Sequence, residues 1–254
     1  MKIIINGACG RMGQKVYQAA VESGAEVVAC VDVCGNVCGY KAPFFGSLYE
    51  VGTEADALID FSNHASTADI CAFAQRTGTP CVIASTGHTE SELAMIRSLS
   101  SKVPVFVSGN MSLGISVLIS LCKNAVAAFG GKCDIEIIEK HHRNKLDAPS
   151  GTALMIANEL LPLLPEGGEI VTDRSNRRAV RPENEIGVSS IRCGAIFGEH
   201  EVIISRKGEM LSVKHTAEDR ALFAEGAINA ADFISGRAPG YYTMKDLIAE
   251  KANA

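Results

Sequence analysis

Three glycines between an apolar run and a helical pattern constrain this chain more than any other feature. The segment reads Lys2-Ile3-Ile4-Ile5-Asn6-Gly7-Ala8-Cys9-Gly10-Arg11-Met12-Gly13. Residues 2–5 have the continuous apolar character of a strand covered on both faces, and 11–22 carry helical periodicity. Glycines at 7, 10 and 13 remove side chains where strand turns into helix. Backbone N–H groups and the positive helix end can then approach a pyrophosphate. The usual fingerprint has its second glycine one position earlier, where Cys9 stands. Asp32 closes a second strand-like run, 26–31, and an acid there can accept hydrogen bonds from adenine ribose hydroxyls. Strand, glycine triplet, helix, strand and acid in register predict dinucleotide binding rather than a merely structural turn. A carboxylate favours a free 2′-hydroxyl and repels a 2′-phosphate, and Val33, not a basic residue, follows it. NADH is therefore expected over NADPH, although Arg11 could pair with a phosphate and allow both.

The alternation continues. Strands are expected at 57–61, 81–84 and 103–107, and helices at 65–76 and 90–100. This is a Rossmann-type α/β pattern, a parallel sheet with helices on both faces. Residues 34–54, rich in Gly, Phe and Pro, read as an irregular crossover. Two loops follow strand ends, where such sheets bind ligands: Asp60-Phe61-Ser62-Asn63 and Ala84-Ser85-Thr86-Gly87. Their small polar residues suit a nicotinamide ribose or amide, and equally suit ordinary turns. The second half changes character. Helices are expected at 113–129 and 152–164, and strands at 133–140, 187–193, 201–207 and 210–216, the last two joined by a turn at Lys207-Gly208-Glu209. Consecutive strands predict an α+β domain with an antiparallel or mixed sheet. The tail returns to helix at 219–234 and 243–250, the latter started by Thr243 and Asp246.

Composition excludes several classes. The 254 residues carry 24 Lys and Arg against 29 Asp and Glu, a net charge of −5, which argues against nucleic-acid binding. The longest apolar stretch, around 114–121, is far short of the ~20 residues that span a bilayer. The start, Met1-Lys2 and then a strand, is unlike a secretory signal, so a soluble cytoplasmic protein is expected. Nine scattered cysteines do not form a secreted disulfide framework. Cys30, Cys34 and Cys38 are evenly spaced and lack the tight pair usual in zinc and iron–sulfur sites, so reduced thiols and no metal are expected.

The most informative stretch is Glu139-Lys140-His141-His142-Arg143-Asn144-Lys145-Leu146-Asp147-Ala148-Pro149-Ser150-Gly151-Thr152. A strand runs into four basic groups, and a helix then opens, with Ser150 a plausible N-cap. Cations beside a helix N-terminus make an anion site suited to carboxylates. A histidine adds a proton donor near neutral pH. Adjacent histidines without a third ligand do not suit zinc.

These residues, with Gly7 to Gly13, resemble the 4-hydroxy-tetrahydrodipicolinate reductase (dihydrodipicolinate reductase) family. Ser85-Thr86-Gly87, Asn110-Met111-Ser112-Leu113-Gly114 and Gly198-Glu199-His200 match in family order, so the likeness covers essentially the whole chain. The resemblance implies hydride transfer from NAD(P)H to a cyclic, unsaturated imine dicarboxylate on the diaminopimelate route to lysine. It implies His141 as proton donor with Lys145 as cationic partner. His142, Ser150, Gly151 and Thr152 fall on substrate carboxylate positions. Gly7, Gly10, Arg11, Met12, Gly13 and Asp32 fall on cofactor positions, with Ser85, Thr86, Gly87, Gly109, Asn110 and Met111 on the nicotinamide side. It implies a dinucleotide-binding domain of residues 1–110 with 220–254. Residues 111–219 would form a substrate-binding and oligomerisation domain, with closure of the two over the ligands and a homotetramer through the second domain's sheet.

The chain departs from the pattern at Val33, where many members carry a basic residue, and at Met111, where many carry an aromatic one. The Cys34 and Cys38 insertion is also outside it. Two other readings are set against this one. A homoserine- or aspartate-type dehydrogenase would lack the paired histidines and the run Asp147 to Thr152. A non-catalytic sensor of NADH and a dicarboxylate would not need both His141 and Lys145.

Overall fold

The computed structural model describes residues 1–175 and 177–253. In chain order the elements are β1 (Lys2–Asn6), α1 (Arg11–Glu22), β2 (Glu26–Val31), β3 (Phe44–Phe45), β4 (Ala57–Asp60), α2 (Thr67–Thr77), β5 (Cys81–Ile83), α3 (Glu90–Leu99), β6 (Pro104–Val107) and α4 (Leu113–Ala128). There follow β7 (Asp134–His141), α5 (Gly151–Leu160), β8 (Glu169–Val171), β9 (Glu185–Arg192), β10 (Gly198–Arg206), β11 (Glu209–Ala217), α6 (Ala221–Ile234), β12 (Gly240–Tyr242) and α7 (Met244–Asn253). They form two units, Met1–Leu113 with Arg220–Ala254, and Gly114–Asp219.

The first unit is built on a parallel seven-stranded sheet in the order β12-β6-β5-β4-β1-β2-β3. Side chains alternate across a strand, so a sheet covered on both faces buries every position. In β1, Ile3 and Ile5 join Val16, Ala20, Phe106, Ala227 and Ile234 in the core under α1 and α6. Ile4 joins Ile70, Phe73, Ile96 and Leu99 under α2 and α3 on the other face. That double covering is the Rossmann-like arrangement expected from the sequence. Three short strands were not foreseen: β3 inside the crossover, β8, and β12, which returns the tail to the sheet beside β6.

The second unit holds a mixed five-stranded sheet, β11-β10-β7-β9-β8. β7 runs parallel to β9 and antiparallel to β10. Helices α4 and α5 cover one face, packing Ile115, Leu118, Ile156 and Leu160 on Ile135, Ile137, Val202 and Ile204. The expected helix 152–164 gives way at Leu160 to a 3-10 turn, Leu161–Leu163, because Pro162 has no N–H to continue the ladder. β10 starts earlier than expected, at Gly198, so Gly198-Glu199-His200 lies within the strand. Gly208 turns the β10–β11 hairpin with φ +89°, as its position in the sequence suggests. Among the described residues no helix is long and apolar enough to cross a membrane.

Candidate active site

In the first unit, the glycine loop joins β1 to α1. Gly7 adopts φ +75°, and a Cβ there would lie 2.7 Å from the Ser62 backbone. A Cβ on Gly13 would lie 2.1 Å from the Gly7 carbonyl oxygen. Both glycines are therefore demanded by close backbone packing, and the loop stays bare on its outer side. A cleft of about 410 Å³ opens beside Gly7, Gly10, Asp32, Val33, Ser62 and Asn63. Asp32 accepts the Cys9 N–H (2.9 Å) and the Cys34 N–H (3.2 Å). Burial pushes its pKa up, but bonds from the Cys34 thiol and from the Cys9, Cys34 and Val33 N–H groups outweigh that and hold it below the usual range. An ionised acid at the end of β2, above a bare glycine turn, fits an adenosine ribose and a pyrophosphate. Arg11 is exposed on the first turn of α1, and Met12 is half-buried beside the core.

The residues expected on the nicotinamide side are a mixed group. Ser85 Oγ donates to Asp60 (2.6 Å), a fully buried carboxylate that also accepts from Asn6 (2.8 Å) and Ser62. Asp60 thus ties together the ends of β1, β4 and β5. Gly87 has φ +83°, and Thr86 lies against Gly109, whose Cβ would be 3.3 Å from Thr86 Cγ2. Asn110 Oδ1 accepts the Ser112 N–H (2.9 Å). Met111 packs its side chain in the core, 2% exposed, and Gly226 of α6 presses on its carbonyl. Any contact that Met111 makes to a cofactor would therefore come from its backbone.

The second unit gathers its basic residues around one buried acid. Glu139, fully buried on β7, accepts from His141 Nδ1 (2.6 Å), from both terminal nitrogens of Arg192 (2.8 and 2.7 Å) and from the Ser150 N–H (3.1 Å). Register brings these together: His141 pairs with Arg192 on β9, and Glu139 with His200 on β10. Burial pushes Glu139 up, yet the bonds from Arg192, His141, Ser190 and Ser150 outweigh it and hold the pKa at about 2. A permanent carboxylate requires the proton on His141 Nδ1, which leaves Nε2 as the reactive nitrogen. Burial lowers the His141 pKa and Glu139 raises it, and with Lys145 and Arg192 also lowering it the net shift is downward. Gly198 packs on this ring, and a Cβ there would sit 3.2 Å from Nε2.

Ser150 is the N-cap of α5, as its sequence suggests: its Oγ takes the Ala153 N–H (3.1 Å). The same Oγ meets His200 Nε2 (3.0 Å), whose ring stands edge-on to His141 at 5.3 Å. Burial and the neighbouring His141 lower His200 to about 4, so it is neutral. Both polar groups of Ser150 are thus engaged inside the protein. Lys145 Nζ reaches Asp147 (2.8 Å), and Lys145 and the Gly151 N–H hold that carboxylate below its usual range. Thr152 follows on the first turn of α5, and His142 Nδ1 is buried without a hydrogen-bond partner among the described residues.

Sequence reasoning missed Glu139, Arg192 and the part played by His200. Glu139 had a signal. It stands two residues before His141, and a strand places i and i+2 on one face. Arg192 had none, because nothing local announces that β9 lies beside β7.

Family models described as dihydrodipicolinate reductase, N-terminus and C-terminus, match residues 1–111 and 114–248. The chain belongs to the dihydrodipicolinate reductase family. A 4-hydroxy-tetrahydrodipicolinate reductase of Caldanaerobacter subterraneus subsp. tengcongensis is 45% identical over 98% of each chain. One of Clostridium novyi is 38% identical over 98% of this chain and 99% of its own length. Among solved structures, dipicolinate-bound dihydrodipicolinate reductase from Paenisporosarcina sp. TG-14 shares the fold, with a TM-score of 0.81 at 22% identity over 96% of this chain and 97% of that one. An aspartate dehydrogenase from Thermotoga maritima shares it more loosely, with a TM-score of 0.55 at 14% identity over 94% and 98%. A dihydrodipicolinate reductase family member is an oxidoreductase that uses NAD(P)H, and the glycine loop with Asp32 fits that dinucleotide.

Proposed function

We propose how this chain performs the reaction that its family carries out, reduction of 4-hydroxy-tetrahydrodipicolinate to tetrahydrodipicolinate in lysine biosynthesis. The reading rests on one observation: the Asp147 carboxylate, four residues before the start of α5, pairs with Lys145 Nζ (2.8 Å), and the Gly151 N–H also favours its charged form. It stands in for a substrate carboxylate, held by a cation beside the positive end of α5. Substrate displaces it, one carboxylate taking Lys145 and the N–H groups at Gly151 and Thr152. His142 supplies another donor, since its unpartnered buried nitrogen costs ~1–3 kcal/mol until a ligand meets it. Ser150 shapes the helix start from inside.

Once the 4-hydroxyl has left as water, with a ring proton, the ring carries a carbon conjugated with the imine, and NAD(P)H, when bound, would supply the hydride to that carbon. Negative charge then moves toward the ring nitrogen and its neighbouring carbon. Lys145 stabilises that charge, and His141, aligned by Glu139, delivers the proton from Nε2. Asp32 receives the adenine ribose hydroxyls, and with Val33 beside it NADH is the preferred donor. The partners are this dicarboxylate and copies of the chain itself. A homotetramer forms through the face of the second sheet that α4 and α5 leave open, where Ile191 and Met210 are exposed. Light scattering checks its mass.

The test mixes purified protein with NADH, and separately NADPH, and the cyclic imine made in situ by the preceding synthase from pyruvate and aspartate semialdehyde. Oxidation that needs the synthase, faster with NADH, is the expected result. His141→Gln lowers kcat by about 10²–10⁴-fold with dinucleotide affinity unchanged. Loss of NADH binding in that variant would overturn the role of His141. Absence of oxidation by protein that binds both dinucleotides would overturn the reading as a whole.

A further inference from the structure

The cysteines that the reductase reaction leaves unused come together at the mouth of the glycine loop. The evenly spaced trio of the sequence separates: Cys30 is sealed in β2, while Cys34 and Cys38 lie on the loop that follows it. Cys9, from the glycine loop, takes its place. Ligand atoms of Cys9, Cys34 and Asp32 all lie within 4.8 Å of one another. The Cys9 and Cys34 thiols both donate to the Gly35 carbonyl oxygen, at 3.4 and 3.5 Å. The two loops are fastened to each other. Tyr40 Oη donates to the Ala8 carbonyl (2.7 Å), and Asn36 braces Tyr40 through two bonds of 3.0 and 2.9 Å. Cys34 therefore lies on a tied loop, facing Cys9 from a segment over twenty residues away.

We propose that Cys9, Cys34 and Asp32, with a water as fourth ligand, form a site for a soft divalent cation of the zinc type, and that a cation held there excludes the dinucleotide. Thiolates prefer such cations, and a carboxylate and a water complete a tetrahedral set. Metal–ligand distances of about 2.3 Å to sulfur and 2.0–2.2 Å to oxygen put tetrahedral ligand atoms roughly 3.4–3.8 Å apart. The cluster needs to contract by only about 1 Å to reach this. Cys34 is exposed and can supply the movement. Asp32 argues for a cation over a disulfide, because it adds an anion that a sulfur–sulfur bond has no use for. On binding, each ligating thiol gives its proton to solvent and its sulfur lone pair to the metal. The exclusion rests on the assignment of Asp32 to the ribose: a carboxylate bound to a cation cannot also accept hydroxyl hydrogen bonds.

The test titrates reduced, metal-stripped protein with cobalt(II), a spectroscopic substitute for zinc. Thiolate-to-cobalt charge-transfer absorption is expected to saturate at about one cobalt per chain. It should disappear in Cys34→Ser, an exposed substitution whose folding circular dichroism verifies. Added NADH should bleach it. Reciprocally, apparent NADH affinity should fall about tenfold for each tenfold excess of zinc above its dissociation constant. No thiolate band in protein that binds NADH overturns the metal site and leaves the cofactor reading intact. A band that persists in Cys34→Ser places the metal on other thiols and overturns it equally. A band lost in Cys34→Ser but untouched by NADH overturns the exclusion. If NADH binding is also unchanged by Asp32→Ala, the ribose assignment falls, while the metal ligands stand.

Discussion

Glu139 and His141 are two residues apart on one strand, and much of the site's chemistry depends on which atoms they share. The carboxylate takes the Nδ1 proton at 2.6 Å and is itself held ionised by Arg192 and the Ser150 N–H. In Glu139→Gln the shape is kept, but the amide has one acceptor oxygen and an NH₂ group facing donors. Either Arg192 or His141 loses its acceptor. If Nδ1 must accept from the amide, the imidazolium needed for proton delivery is disfavoured. The expected outcome is a fall in kcat of about 10–100-fold, steeper as pH rises, with NADH affinity unchanged. Steady-state kinetics over a pH series, with a denaturation midpoint as control, decides it. A loss that is independent of pH would make Glu139 a packing residue only. At this scale the sequence was partly legible. The basic residues and Asp32 stood out because ionisable groups clustered at strand ends need a reason. Glu139 was readable in principle from the period of two, whereas Arg192 and Cys9's meeting with Cys34 were hidden because they depend on pairing between distant segments.

Elements follow the same logic. Strands with continuous apolar runs were legible because both sheet faces are covered, and α1, starting at Arg11, has the bounds its periodicity predicts. The two- and three-residue strands β3, β8 and β12 carry no alternation of their own and exist because a neighbouring edge offers hydrogen bonds. The burial of Met111 was not legible, because a loop position next to a helix looks accessible until Gly226 is known to press on it. The start of α5 is the element on which both the proposed anion site and the fold rely. Ser150 closes the helix through Ala153 and anchors His200 on the other side. Ser150→Ala removes an N-cap, which costs about 1 kcal/mol, and strands a buried histidine nitrogen, which costs about as much again. Equilibrium urea denaturation should show a lower midpoint at an unchanged slope, by roughly 1–3 kcal/mol. An unchanged midpoint would mean that neither bond supports the helix start.

For the whole molecule, the consequence of burying these groups is a stability that depends on pH. Each unit has its own core, and the second is built around two groups whose pKa values folding lowers: His200 to about 4 and Glu139 to about 2. The causes differ. His200 is kept neutral chiefly by burial and then by His141, whereas bonds from Arg192 and His141 keep Glu139 charged in spite of burial. The sign is the same. As pH falls from His200's unfolded value of 6.5, the unfolded chain takes up a proton that the folded chain refuses until about pH 4. Stability contributed by His200 is therefore whole above 6.5 and is lost progressively down to 4. Below that, Glu139 adds a second loss between its unfolded 4.5 and about 2. The chain has no tryptophan, so the unfolding is best followed by far-ultraviolet circular dichroism in urea. Between pH 6.5 and 4 the wild type should lose on the order of 2 kcal/mol through this histidine. His200→Asn keeps a hydrogen-bonding group for Ser150 and has no proton to take up. It should be less stable at neutral pH but lose markedly less on acidification, so the two curves converge as pH approaches 4. Parallel curves would show that His200 is not the group that titrates, and would move the acid sensitivity of the second unit onto His141 and His215, which burial also lowers.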